Sequence, residues 1–212
     1  ASDTMAGTID IKNDGSLGDS SLVSSWLSDE SGLWTDLARI SGNDLISNNE
    51  TVLTTGVQGD TATFDGVDDS LQITDLDQTG LDFSDESDMS WNFWVYKTDD
   101  GEDIIISKWN HVAATQYMIV VNTDPAIGYA QIYMGTNPSG FGYKNVGTPS
   151  GVKYINNNQW HMVSIVYDAS AANVEIWIDG VSRASGNGNG IGTSIPDTDA
   201  RFMMAGRDSG GG

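Results

Sequence analysis

The sequence predicts an all-β protein, folded as a two-sheet antiparallel β-sandwich of the jelly-roll type. Apolar residues recur at every second position in many short segments, which is the period of a half-buried strand. Valine, isoleucine and aromatic residues are concentrated in these segments, and clusters of glycine, asparagine, aspartate and serine separate them. Helical periodicity is nearly absent. Many short strands with turn signals between them are typical of a sandwich or jelly roll.

Taken in chain order, the alternation predicts a strand in each apolar segment. The predicted strands are Ser21–Leu27, Thr61–Phe64, Ser70–Thr74, Met89–Tyr96, Asp103–Trp109, Gln116–Val121, Tyr129–Met134, Trp160–Tyr167, Val174–Ile178, Val181–Ala184 and Arg201–Ala205.

Length and composition favour one domain with one large core. The chain has 212 residues, a length that β-sandwiches reach as a single unit. Hydrophobic residues make up 38% of it, including seven Trp and seven Tyr, so the apolar area available for burial is large. We predict that residues 1–20 form a leader or an added edge strand, because they are polar apart from Ile9 and Ile11. Residues 21–212 are predicted to form the jelly-roll domain.

The stretch WHMVSIVYDASAANVEIWIDG, from Trp160 to Gly180, predicts a hairpin. Val174, Ile176 and Ile178 share one face of its second strand, so that face belongs to the core. The first strand is apolar on both faces, as expected of a central strand. Asp179-Gly180 predicts a tight turn after the second strand.

The stretch MSWNFWVY presents a face that mixes aromatic rings with an amide. Aromatic rings stack on the C–H faces of pyranoses and amides pair with sugar hydroxyls, so such a face suits glycan binding. Trp177 points outwards from the hairpin described above. The candidate glycan-binding residues are therefore Asn92, Trp94, Tyr96 and Trp177. The alternative is that these rings only cover the outside of a sheet or lie under a loop.

Charge restricts the classes of partner. Nine basic residues against 30 acidic ones give a formal net charge of −21, which repels phosphate backbones, so we predict no nucleic-acid partner. No apolar run approaches the roughly 18 residues that cross a bilayer, so we predict no membrane insertion. The sequence has no Cys, which excludes disulfides and thiolate metal sites.

The abundance of aspartate suggests calcium as a cofactor, because carboxylate oxygens are the ligands that hard cations prefer. The segment DLDQTGLDFSDE has the spacing of a calcium-binding loop, and FDGVDD contains a second acidic cluster. The candidate ligands are Asp75, Asp77, Thr79 and Glu86 in the first segment, and Asp65, Asp68 and Asp69 in the second. The alternative is that both are solvated acidic loops.

No catalytic motif is evident, and we predict that the protein is not an enzyme. The Glu residues are scattered, and neither His111 nor His161 lies in a Gly-x-Ser-x-Gly or HExxH context. His161 is predicted to be a hydrogen-bonded sheet residue. Lys108 is predicted to be an ordinary surface charge.

Several motifs together resemble the laminin G-like domains of the concanavalin A-like lectin/glucanase superfamily. They occur in the order and spacing of that family: SWLSDESG, TATFDGVDDSLQI, MSWNFWVY, IIISKW, WHMVSIVYD and VEIWIDG. The resemblance implies a jelly roll with two antiparallel sheets and one concave face. Glucanases of this fold carry an E-x-D-x-x-E string on one strand, and this sequence has none.

The chain departs from the family pattern after RFMMAGR. Family members continue into a last strand, whereas this sequence ends at DSGGG. We expect either that the sequence is a fragment, or that another segment or a further structural subunit pairs with the sheet edge left open.

The resemblance implies noncatalytic recognition of a glycan or a host-surface polysaccharide through a concave or rim surface. Bacteria and their phages use such domains in adhesins, tail fibres and capsid decorations. We therefore predict an extracellular carbohydrate-binding or adhesion module on a cell surface or virion. The alternatives are a structural virion or surface-layer protein that contacts other proteins without binding sugar, and a glycoside hydrolase with atypical residues.

Overall fold

The computed structural model describes residues 6–10, 26–28, 33–36, 43–49, 51–57, 59–82, 88–110, 114–124, 126, 128–135, 143–149, 151–187, 190–191 and 195–207. The regular elements among them are strands, as the alternating sequence predicts. No helix within these residues is long and apolar enough to cross a membrane.

The first eight strands cover the chain up to residue 97. Their bounds are β1 Ala6–Asp10, β2 Trp26–Ser28, β3 Leu33–Asp36, β4 Leu45–Asn48, β5 Val52–Gly56, β6 Gly59–Asp65, β7 Ser70–Ile73 and β8 Met89–Lys97. The remaining strands are β9 Glu102–Asn110, β10 Ala114–Thr123, β11 Gly128–Gly135, β12 Tyr143–Gly147, β13 Trp160–Asp168, β14 Asn173–Ile178, β15 Val181–Gly186 and β16 Phe202–Met204.

The strands form two antiparallel sheets, which we call sheet A and sheet B. Sheet A has the order β15-β14-β13-β8-β1-β6-β5, and sheet B the order β12-β11-β10-β9-β16-β7-β4-β3-β2. Neighbours such as β13 and β8 are far apart in the sequence, so the chain crosses repeatedly between the sheets. This arrangement confirms the predicted two-sheet sandwich.

The core lies between the two sheets. In β8 the residues Met89, Trp91, Phe93 and Val95 are buried, while the residues between them are exposed or half-buried. β13 and β14 alternate in the same way. The Trp91 ring stacks on Phe202 of sheet B, with 5.8 Å between ring centroids. The period-2 pattern therefore sets which side chains enter the core.

The turn after the predicted hairpin is confirmed. Asp179 and Gly180 have φ values of 53° and 75°. Two consecutive residues with positive φ are what a type I′ turn requires, and Asp-Gly is a favoured dipeptide there because glycine adopts this conformation without steric cost.

The N-terminal segment differs from the prediction of a leader or added edge strand. β1 lies inside sheet A and pairs on one side with β6 and on the other with β8; Thr8, for example, lies opposite both Thr63 and Tyr96. The division of the chain at residue 20 stays a prediction.

The sequence analysis also expects an unpaired sheet edge near the end of the chain. β16 does not form such an edge, because it pairs with β7 on one side and with β9 on the other.

Candidate functional site

The candidate glycan-binding residues lie on the outer face of sheet A, the face directed away from the core. In one row Trp177 of β14 is opposite Ser164 of β13, which in turn is opposite Asn92 of β8. Side chains directly opposite each other in an antiparallel sheet are close enough for contact. Three neighbouring strands therefore present a row of aromatic, hydroxyl and amide groups.

The next two rows of this face add four large side chains. Met162 is opposite Trp94, and Trp160 is opposite Tyr96. The Tyr96 and Trp160 rings are 5.4 Å apart between centroids and inclined at 52°. Trp94, Tyr96 and Trp177 are half-buried and Asn92 is exposed. The structure thus brings the four sequence-predicted residues onto one surface with accessible ring area.

Trp177 is held in place by its own strand. Its indole Nε1–H donates to Glu175 Oε2 over 3.2 Å. Glu175 precedes Trp177 by two residues, so both side chains lie on the outer face. The indole nitrogen is therefore occupied, and the ring face is the part of Trp177 that remains suited to stacking.

A pocket of about 310 Å³ adjoins Tyr96. Phe64, Tyr96 and Trp160 supply its apolar lining. Its polar lining residues are Thr54, Thr55, Thr63 and Thr98. The sequence analysis missed Trp160 and the threonines, because they come together only in the folded sheet A, where β13 pairs with β8, β6 pairs with β5, and β1 lies between β8 and β6.

A second aromatic cluster, also missed, lies on the outer face of sheet B. Trp109, Tyr133 and Tyr143 contact one another, with ring centroids 5.3 to 6.3 Å apart. Trp109 is only 2% exposed. Because these rings pack largely against each other, less of their surface remains for a ligand than on sheet A.

Tyr129 borders this second cluster and donates its hydroxyl to the Glu102 carboxylate. Partial burial, reinforced by this hydrogen bond and by the charge of Glu102, raises the pKa of Tyr129 to about 12. A phenol with so high a pKa stays protonated at neutral pH, so it acts as a hydrogen-bond donor and not as a base.

The Asp65, Asp68 and Asp69 cluster is confirmed as a group that could hold a metal ion. One carboxylate oxygen of each lies within 4.8 Å of the others. Asp65 Oδ1 accepts from the backbone N–H of Val67 at 2.8 Å and of Asp68 at 3.3 Å. These backbone donors, led by Val67, lower the pKa of Asp65. The oxygen-rich donor set fits a hard divalent cation.

In the other candidate calcium loop, which contains Asp75, Asp77 and Thr79, the candidate ligand residues contact other protein groups. Asp75 pairs with the ammonium of Lys108, and Asp77 Oδ2 accepts from the Thr74 hydroxyl at 2.6 Å. The backbone N–H of Thr79 donates to Asn43 Oδ1 over 2.6 Å. Glu86 lies outside the described residues, so calcium binding by this loop stays a prediction.

Lys108 is not the surface charge that the sequence predicts, because its side chain is fully buried. Its Nζ is 2.8 Å from Asp82 Oδ1 and also pairs with Asp75. It donates to the carbonyls of Thr198 and Ala200 at 2.8 and 2.9 Å. A cation in the interior requires such compensation.

His161 is a hydrogen-bonded sheet residue, as predicted. Its Nδ1 is 2.7 Å from Asp179 Oδ2, and its Nε2 accepts from the backbone N–H of Asn156 at 3.1 Å. Acceptance at Nε2 assigns the proton of the neutral ring to Nδ1. Both nitrogens are therefore used in the structure of the sheet. His111 lies outside the described residues.

Comparison with solved structures shows the same fold. The binding domain of botulinum neurotoxin DC in complex with SialylT has a TM-score of 0.58 at 11% identity, covering 88% of this chain and 44% of that chain. The binding domain of serotype D/C VPI 5993 has a TM-score of 0.51 at 14% identity, covering 87% and 49%. This chain thus spans less than half of either binding domain. At such identities the likeness shows the fold alone.

Glycan-degrading enzymes are also among the similar structures. The Bacillus licheniformis β-glucanase has a TM-score of 0.36 at 14% identity, covering 93% of this chain and 78% of that chain. Among curated proteins, none matches this chain significantly. A laminin G family model described as concanavalin A-like lectin/glucanases superfamily matches residues 65–212. The chain therefore belongs to the concanavalin A-like lectin/glucanases superfamily, as a β-sandwich of the laminin G type.

Proposed function

We propose that this protein is a noncatalytic carbohydrate-binding module and that it binds glycan on the outer face of sheet A. The observation that supports this most is the set of adjacent rows containing Trp177, Trp94 and Tyr96 beside Asn92 and Ser164. The fold fits such a role, since a similar neurotoxin binding domain is known in complex with SialylT.

The spacing of the two tryptophans suits an extended ligand. Trp94 is on β8 and Trp177 on β14, with β13 between them. Strands lie about 4.8 Å apart and the two residues are also offset by one row, about 7 Å along the strands, so their backbone positions are about 12 Å apart. Two sugar units of one glycan chain would each stack on one ring, while Ser164 on the strand between them and Asn92 next to Trp94 on the same face of β8 pair with hydroxyls.

We expect that Trp94→Ala and Trp177→Ala each weaken glycan binding at least about tenfold, or about 1.4 kcal/mol, because each removes a stacking surface. A glycan array identifies the ligand, and titration calorimetry of the best hit measures the change. Tyr143→Ala is the matched control, since it removes an exposed aromatic ring from sheet B. Unchanged affinity in both tryptophan variants would contradict the proposed site. Release of reducing sugar from a polysaccharide would contradict the noncatalytic assignment.

We further propose display outside the cell, on a cell surface or a virion, where a host polysaccharide is accessible. Immunogold labelling of intact cells or particles tests it, and label confined to the cell interior would contradict it.

A structural role through protein contacts is a second candidate. β5 is an outer strand of sheet A and carries Val52, which is 60% exposed. An outer strand with exposed apolar residues is suited to pairing with another chain. Stable oligomers in light scattering together with a silent glycan array would favour this role.

We propose calcium as the ion of the Asp65, Asp68 and Asp69 cluster. We expect Asp69→Asn to weaken calcium binding at least tenfold, because it removes one charge while keeping an acceptor for the backbone N–H of Asp65. Titration calorimetry at millimolar calcium measures the affinity. Asp168→Asn is the matched control, since Asp168 is an exposed aspartate that accepts a backbone N–H but lies outside both candidate calcium loops. If the wild-type protein takes up no calcium, this proposal fails.

A further inference from the structure

We infer that the oxygen atoms around Lys108 form a cation site for which the chain supplies the cation itself, so that the loop containing Asp75 takes up no calcium. We call these atoms the cation cage. They are one carboxylate oxygen each of Asp75 and Asp82 and the backbone carbonyls of Thr198 and Ala200. The cage belongs to sheet B and does not depend on glycan binding by sheet A.

The cage lies where three neighbouring strands of sheet B come together. Its two acidic residues follow β7, its two carbonyls precede β16, and Lys108 is in β9. The order of these strands is β9-β16-β7, and Lys108 is directly opposite Phe202 at the start of β16. One ammonium therefore joins the segment after β7 to the segment before β16.

The dimensions of the cage fit an ammonium. The Lys108 Nζ is 2.8 Å from Asp82 Oδ1, and 2.8 and 2.9 Å from the two carbonyl oxygens, which are ordinary N–H···O distances. Calcium binds its oxygens at about 2.3 to 2.6 Å and takes about six to eight of them. A lysine ammonium donates at most three hydrogen bonds, so four oxygens are enough to satisfy it.

Calcium and the ammonium cannot share the cage. Calcium bound to the same Asp82 oxygen would lie at most about 5 Å from the Lys108 Nζ. Two cations this close repel each other strongly where little water separates them. The Lys108 side chain has no exposed surface, so displacing its ammonium would bury a charge without partners. The lysine therefore excludes an external ion.

The loop is also ordered by contacts that need no ion. Asp77 Oδ2 accepts from the Thr74 hydroxyl at 2.6 Å, and the backbone N–H of Thr79 donates to a side-chain oxygen outside the loop. Two of the predicted calcium-binding residues are thus held by the protein itself.

A third carboxylate, that of Asp197, adjoins the cage. Burial, followed by the charge of Asp82, raises the pKa of Asp197, while Lys108 acts in the opposite direction. The carboxylates of Asp75, Asp82 and Asp197 therefore outnumber the ammonium. If the ammonium were removed, this excess of negative charge would favour any other cation that fits.

The test compares Lys108→Ala with Lys108→Met, both in a chain that carries Asp69→Asn to weaken the other candidate calcium site. Alanine vacates the cage, whereas methionine fills most of the volume of the lysine and leaves no room for an ion. We expect millimolar calcium, and separately ethylammonium, to raise the melting temperature of Lys108→Ala by about 3 °C or more beyond any rise in Lys108→Met. Adding Asp82→Asn to Lys108→Ala should remove this gain.

If Lys108→Ala does not fold alone, it is refolded with each cation in turn. A variant that neither calcium nor ethylammonium stabilises or refolds would overturn the inference, whereas a response to either one supports it. The chain that keeps Lys108 gives a second result. If calcium stabilises this chain and Asp75→Asn or Asp82→Asn abolishes the effect, the loop binds calcium beside the lysine and the inference is wrong.

Discussion

Replacing Lys108 with methionine is expected to lower the free energy of unfolding by about 3 kcal/mol. The substitution preserves most of the side-chain volume but removes the ammonium between Asp75 and Asp82. It also leaves the carbonyls of Thr198 and Ala200 without their donor. Both carboxylate side chains are only 26% exposed, so water compensates them in part, and we expect the lower end of the range for breaking a buried ion pair.

Urea unfolding followed by tryptophan fluorescence measures this change. Lys144→Met is the matched control, because Lys144 is exposed on β12 and its removal should change stability by no more than about 0.5 kcal/mol. Adding Asp75→Asn to Lys108→Met should recover part of the loss, since one uncompensated charge disappears. Equal stability of Lys108→Met and Lys144→Met would show that the ion cluster contributes little.

Lys108 also shows why part of the molecule was not predictable from the sequence. The alternation in IIISKW places residue 108 in a strand, but its partners lie 33, 90 and 92 positions away in the chain. Local periodicity contains no information about such distant partners. The buried pair of Lys97 and Asp103 was missed for a different reason: the two residues are only six positions apart, but they meet because the chain passes from β8 of sheet A to β9 of sheet B between them.

Two of the strands that were missed, β5 and β12, share a composition. β5 reads VLTTG and β12 reads YKNVG, and neither has the run of alternating large apolar residues that marks β8 or β13. Both are outer strands with one neighbour each, so fewer of their side chains are buried. Where a strand lies at the edge, its hydrophobic signal is weak. Predictions from periodicity succeed for the long central strands β8, β9, β10 and β13, whereas the short strands β3 and β4 were missed although each has a neighbour on both sides.

In the candidate site, too, periodicity within a strand was predictive, whereas contacts between strands were not. Periodicity predicts correctly that Asn92, Trp94 and Tyr96 share an outer face, since residues two apart in a strand point the same way. It does not give the register between strands, which places Trp160 opposite Tyr96. The face could therefore be predicted from the sequence, whereas the pocket could not.

Trp91→Ala is expected to lower the free energy of unfolding by about 3 to 5 kcal/mol, the range for truncating a large core aromatic. Trp91 is 7% exposed, and its ring lies 5.8 Å from Phe202 and 5.4 Å from Tyr117 between centroids. Those two residues belong to sheet B, whereas Trp91 belongs to sheet A. The substitution would open a cavity at the contact between the sheets, where the structure cannot collapse without moving whole strands.

Trp94→Ala is the control for this experiment, because it removes the same side chain from the same strand but on the outer face. Trp94 is half-buried, and its loss should cost no more than about 1.5 kcal/mol in chemical denaturation. Equal losses in the two variants would contradict the assignment of core and outer faces. The pair also separates stability from function: Trp91→Ala should weaken the sandwich, whereas Trp94→Ala should leave it folded and remove the stacking surface for glycan.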